Sequence, residues 1–100
     1  MSRIRVEAEA WRELLEIAGY MVNAAKNRKA AVRLSDEFDR KCEIYARQPE
    51  MGDLRDDLGD DLRSFTFRTW YVAVYEPLDD GIRVLRVFDG RSEYGRHFVD

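Results

Sequence analysis

The stretch Leu62–Arg91, LRSFTFRTWYVAVYEPLDDGIRVLRVFDGR, decides the fold, because it reads as three short strands and their turns. From Leu62 to Phe67, Leu62, Ser64 and Thr66 alternate with Arg63, Phe65 and Phe67; from Tyr71 to Tyr75, Tyr71, Ala73 and Tyr75 alternate with Val72 and Val74. A period of two in aromatic and β-branched residues predicts strands. The following EPLDDG holds an Asp80-Gly81 step that tolerates positive φ, which predicts an antiparallel hairpin into Ile82–Phe88. The earlier reversal, at Arg68-Thr69, has neither Gly nor Asn, and the sequence assigns it no turn type.

Upstream of this meander the period changes. Ile4 and Val6 alternate with Arg3 and Arg5, a short strand whose arginines suit a sheet edge. From Ala8 the spacing of Trp11, Leu14, Leu15, Ala18, Met21, Val22 and Ala25 is helical, with Arg12, Glu13, Glu16, Asn23 and Lys26 on the opposite face. Gly19 inside this helix suggests close approach of a neighbour. Asn27 can end the first helix or cap a second, predicted over Arg28–Arg47, with Ala31, Leu34, Phe38, Cys42 and Tyr45 on one stripe. Pro49 stops that helix, since the residue before a proline is pushed out of helical geometry. The predicted order is βααβββ: an α+β fold in which a helical hairpin packs on one face of a small antiparallel sheet.

A chain of 100 residues is sized for one domain, residues 1–100. No run approaches the roughly 18 apolar residues of a membrane helix, and the glutamates that follow Val6 interrupt any leader-like stretch. These features predict a cytoplasmic protein. The single Cys42 can form no internal disulfide and falls where the second helix needs an apolar residue, so it reads as a buried structural thiol. Residues 50–61 hold Glu50, Asp53, Asp56, Asp57, Asp60 and Asp61 against Arg55 alone. Their spacing is not that of a calcium loop, which predicts a solvated acidic loop and neither metal nor cofactor. Net charge −3 and a pI near 5.2 disfavour broad binding to a phosphate backbone, so no direct nucleic-acid partner is expected.

The run from Ala46 to Arg91 resembles the ParE branch of the RelE/ParE toxins of bacterial type II toxin–antitoxin pairs. The resemblance rests on the order of Pro49-Glu50-Met51-Gly52, Leu62-Arg63-Ser64, Tyr75, Asp80-Gly81, Leu85-Arg86-Val87 and Gly90-Arg91. It implies a stoichiometric inhibitor of DNA gyrase, without catalytic residues, held inactive in a hetero-oligomer with an antitoxin from the adjacent gene. By the same resemblance the target-binding candidates are Arg63, Arg83, Arg86, Arg91, Tyr94 and His97. The antitoxin candidates are the helical Trp11, Leu15, Met21, Phe38 and Tyr45. Two alternatives stay open: a ribosome-dependent mRNA endonuclease, in which Arg68 and these arginines, Tyr94 and His97 would serve phosphate and proton transfer, and a degenerate toxin fold that only binds its antitoxin. Arg63 and Arg91 can equally be charge partners of the acidic loop, and His97 an exposed imidazole.

Overall fold

The computed structural model describes residues 2–91. Its centre is the expected meander. Strand β3 (Arg63–Phe67) pairs antiparallel with β4 (Tyr71–Leu78), and β4 with β5 (Gly81–Asp89). Two strands are added at the flanks. Strand β1 (Arg3–Val6) lies along β5, and the two-residue β2 (Asp53–Leu54), inside the loop expected to be irregular, lies along β3. The sheet order is β1-β5-β4-β3-β2.

The β1–β5 pairing is parallel, Arg3↔Gly81 to Val6↔Val84, so the sheet is mixed rather than purely antiparallel. The direction follows from helix α1 (Ala8–Asn23), which must begin over the middle of β5 and continue along it; Glu7 N–H donates to Val84 O at that point. Gly81 serves this pairing and not the hairpin turn. Its φ is not positive, and a Cβ there would collide with the Arg3 carbonyl. The turn is made by Asp79 and Asp80, and Asp80 O accepts from Arg3 N–H at 2.6 Å.

Between Val74 and Tyr75 the β4–β5 register slips, so that Leu85 is an extra residue on β5. A bulge of this kind changes which side chains share a face. Val84 and Val87, three apart, both enter the core, opposite Tyr75 and Ala73. The reversal that the sequence left unassigned is solved by strain: Arg68 and Thr69 have φ of 50° and 76°. Left-handed geometry is costly for a β-branched residue, of order 1–3 kcal/mol. It is fixed from outside by Glu37, whose carboxylate accepts from Arg68 N–H at 3.0 Å, and by a Trp70 N–H to Arg68 O bond of 2.9 Å.

Both helices cover one face of the sheet. Helix α2 (Arg28–Arg47) has the bounds predicted, starts at an Asn27 side chain that accepts from Ala30 N–H, buries Ala31, and packs Leu34, Phe38, Cys42 and Ala46 into one core with Phe65, Phe67 and Tyr75. Helix α1 is rotated from expectation. Its buried line is Ala10, Glu13 and Leu14, while Trp11 and Leu15 face outward, 44% and 65% exposed. The reason is an edge: β1 ends at Val6, and β5 beyond Val84 would expose unpaired backbone. Glu13 fills the gap, accepting from Val87 N–H at 2.9 Å and from the Arg86 guanidinium at 2.7–3.1 Å. An acceptor placed on a bare strand edge also blocks unwanted strand pairing.

Gly19 meets nothing within 4 Å where its Cβ would stand, so the expected close neighbour is absent. Gly19→Ala should therefore stabilise the protein by up to about 1 kcal/mol, the helix-propensity difference. Gly81→Ala should lower the thermal midpoint by several degrees or prevent β1 from pairing. Thermal denaturation followed by circular dichroism checks both, and an unchanged or lowered midpoint for Gly19→Ala would contradict the open space at that position.

Candidate functional site

The arginines singled out by the sequence do not form one free cationic surface. Arg63 opens β3 and turns back, its guanidinium donating at 2.9 Å to the carbonyls of Glu50 and Gly52. It grips backbone, not the carboxylates of the acidic loop. Arg83 lies between Glu7 at 3.4 Å and Glu76 at 3.2 Å. Arg86 is clasped by Glu13, with Glu9 at 3.5 Å beyond. All three are engaged within the fold.

The grip of Arg63 is half of a larger clasp. Tyr75, fully buried, donates its hydroxyl proton to Pro49 O at 2.7 Å and accepts from Gly52 N–H at 3.0 Å. The turn Pro49–Met51 and Gly52 are thus held by one phenol and one guanidinium. Gly52 is required because a Cβ would strike the Tyr75 ring and hydroxyl. Burial raises the pKa of Tyr75 above that of a free phenol, so the hydroxyl keeps the proton that Pro49 needs. The residues that look like family motifs in sequence, Pro49, Gly52, Arg63 and Tyr75, are here one assembly.

Arg91 is different. At the exit of β5 it donates through Nε and Nη2 to the carboxylate of Asp89 at 3.1 and 2.8 Å, and its guanidinium lies 4.0 Å over the ring of Trp70. The hydrogen bonds from Arg91 hold Asp89 below the usual carboxylate range. Trp70 is 40% exposed on the strained β3–β4 turn, and its carbonyl accepts from Gly90 N–H at 2.7 Å. Tyr94 and His97 lie outside the described residues. Arg68 offers its backbone to Glu37 and is only half-buried.

Of the helical candidates, Phe38 is 1% exposed and stands against Phe65 and Phe67. It belongs to the core and reaches the surface only in the lining of the cleft beside Trp11. Tyr45 is stacked on Phe65 at 4.7 Å, and Met21 packs against the core from its margin. Trp11, edge-on to Phe38 at 6.3 Å, lines a cleft of about 330 Å³ with Ile4, Val6 and Cys42 along the outer edge of β1. A second groove, about 880 Å³, runs between α1 and the end of β5, past Ile17, Tyr20, Phe88 and Arg91. Sequence reasoning missed Glu13 and Trp70. Glu13 was detectable as the residue one helical turn from both Ala10 and Ile17; Trp70 carried no periodic signal.

Cys42 is buried and its thiol pKa is pushed up to about 12, by burial first and then by Asp39 and Glu43. Among the described residues no group of three His, Cys, Asp or Glu side chains is placed to hold a metal. Among the same residues no helix is long and apolar enough to cross a membrane. Tyr75→Phe should cost about 1–3 kcal/mol, the desolvation penalty of buried groups left unpaired, because Gly52 N–H and Pro49 O lose their partner together; urea unfolding measures it. Cys42 should resist a thiol reagent in the native protein and react once unfolded; fast native reaction would show that the core is open there.

A sequence profile described as "ParE toxin of type II toxin-antitoxin system, parDE" matches residues 4–94. Among solved structures, one titled "Chromosomal ParDE TA system from P. aeruginosa" is similar with a TM-score of 0.72 at 17% identity, over 89% of this chain and 96% of that one. No curated protein sequence matches significantly. At that identity the structural likeness speaks for the fold, two helices on a mixed five-stranded sheet, while the profile spans nearly the whole chain. The clasp of Pro49, Gly52, Arg63 and Tyr75 lies wholly inside the matched region, and the chain belongs to the ParE toxin family of type II toxin–antitoxin systems.

Proposed function

We propose that the chain is the growth-arresting member of its pair, that it acts by binding DNA gyrase and not by cutting RNA, and that a cognate antitoxin from the adjacent gene silences it. The observation that carries the antitoxin part is the outward setting of Trp11 and Leu15 on α1, with Trp11 in the cleft beside Ile4 and Val6 of β1, the terminal strand of the sheet among the described residues. A segment that folds on binding can lay apolar side chains on Trp11 and Leu15 and add backbone hydrogen bonds along β1. Arg5, exposed on that strand, favours an acidic residue opposite.

Support for a non-nuclease comes from the fates of the arginines. A phosphoryl-transfer site needs a base, a proton donor and cations converging on one point. Arg63, Arg83 and Arg86 are engaged with carbonyls and carboxylates elsewhere, and the loop leading into β3 carries six acids against Arg55. Binding, and not turnover, is the chemistry such an arrangement favours.

Leu15→Asp should weaken retention of the neighbouring gene's product roughly tenfold or more, as expected when an interface hot spot is lost, without moving the thermal midpoint. Phe38→Ala should instead cost about 3–5 kcal/mol of stability. Wild-type chain should inhibit gyrase supercoiling, and codon-specific mRNA cleavage on induction would replace gyrase with the ribosome as target. A Leu15→Asp chain that retains the antitoxin as the wild type does would show that α1 is not the contact.

A further inference from the structure

A net charge of −3 conceals a strong separation of charge along the molecule. Helix α1 runs along β5 toward its end, with Glu13 at Val87 and Tyr20 beside the groove that reaches Arg91. Helix α2 returns from there, passing the β3–β4 turn at Glu37 and reaching Tyr75 and Pro49 at the far side. The link between the helices therefore sits at the same end of the sheet as Trp70 and Arg91. That link holds Lys26, and Arg28 and Lys29 open α2 beside it; all three are exposed and have no ion pair among the described residues. Arg68 joins them on the strained turn. Glu37 and Asp89 stand at this end too, bonded to Arg68 N–H and to Arg91, while the opposite end holds the acids of residues 50–61 with Asp79 and Asp80 against Arg3, Arg55 and Arg63.

The molecule is 39 Å in its longest dimension. The screening length at physiological salt is only about 8 Å. A partner at one end therefore feels that end and not the average, so the acidic pI does not describe the basic end. The basic end is also rigid. Asn27 is pinned at its side chain by Ala30 N–H and at its amide by Met21 O, at 3.0 and 2.7 Å. Trp70 is held by its carbonyl and by the Arg91 guanidinium, and Gly90 must be glycine because a Cβ would stand 2.8 Å from Trp70 O. Preformed side chains lose little freedom on binding. Trp and Arg are the residue types that carry most energy at protein interfaces.

From this we infer that the end formed by Lys26, Arg28, Lys29, Arg68, Trp70 and Arg91 is the docking surface for the toxin's target, and that it meets an acidic patch on a folded protein. This rests on the reading of the chain as a toxin with a protein target. A folded protein fits better than a nucleic acid because the cations come from separate elements, the helix link, the start of α2, the β3–β4 turn and the end of β5, and do not track a backbone, and because the Trp70 ring already has a guanidinium on one face.

The test compares wild-type full chain, Arg28→Ala/Lys29→Ala, the same pair with Trp70→Ala, and Asp56→Asn/Asp60→Asn at the acidic end. Each is scored for the inducer level that arrests growth, for gyrase supercoiling, for antitoxin retention and for anisotropy of a short labelled DNA duplex. The expected result is a loss of potency of roughly tenfold or more for the triple variant, the scale of a lost hot spot, and a smaller loss for the fully exposed pair. Antitoxin retention and circular dichroism should stay unchanged, and the Asp56/Asp60 variant should behave as wild type. Growth arrest by the triple variant at the wild-type threshold overturns the surface, as does loss of potency only when antitoxin retention is lost too. Duplex binding by wild type that the triple variant loses, with supercoiling untouched, overturns the protein partner. Wild type that arrests growth but spares supercoiling refutes gyrase alone, and the arrest thresholds still decide the surface; wild type that arrests nothing overturns both.

Discussion

One buried phenol sets the geometry on which the rest depends. Tyr75 on β4 reaches past the core to the point where α2 stops, and its hydroxyl must satisfy a carbonyl of Pro49 and an amide of Gly52 together. Buried backbone groups without partners are costly, so the end of the helix, the turn after it and the central strand cannot move independently. Arg63 closes the same turn from the next strand. Because β3 begins at Arg63, the clasp also fixes where the meander starts relative to the helices, and with it the position of the far turn that carries Trp70.

The second constraint is the edge of β5. A parallel β1 covers only its first half, and Glu13 covers the next amide with a side chain. This explains why α1 presents a carboxylate to the sheet and turns Trp11 and Leu15 to solvent. Strand-edge capping and surface exposure are linked here through rotation of one helix: the orientation that places Glu13 on the edge also turns the apolar pair outward.

Much of this was legible in the sequence, and what was not has physical reasons. Alternation gave β3, β4 and β5, and the Asn27 and Pro49 signals gave the bounds of α2, because caps and proline restriction act locally. The parallel direction of β1 and the pairing of β2 were hidden, since pairing partners distant in sequence leave no periodic trace. The bulge at Leu85 was hidden for a similar reason: Val84, Val87 and Arg86 look like ordinary alternation until a slip in register puts both valines in the core. Gly81 was rightly noticed but for the wrong cause, a turn angle where the requirement is backbone contact with Arg3. Arginine side chains were the least readable, because a guanidinium that grips carbonyls and one that faces a partner have the same neighbours in sequence.

The pairing of β1 with β5 also has a consequence in time. Arg3–Val6 finds its partner in Gly81–Val84, far along the chain, and contacts of such long separation are late to form. While the chain is being made, the first strand has nothing to pair with until β5 has left the ribosome, and Tyr75 and Arg63, which lock the end of α2, are also made late. The basic end of the molecule is likewise incomplete until Gly90 and Arg91 come to hold Trp70. The finished surface thus forms only once residues as far apart in sequence as Arg3 and Arg91 have both been made.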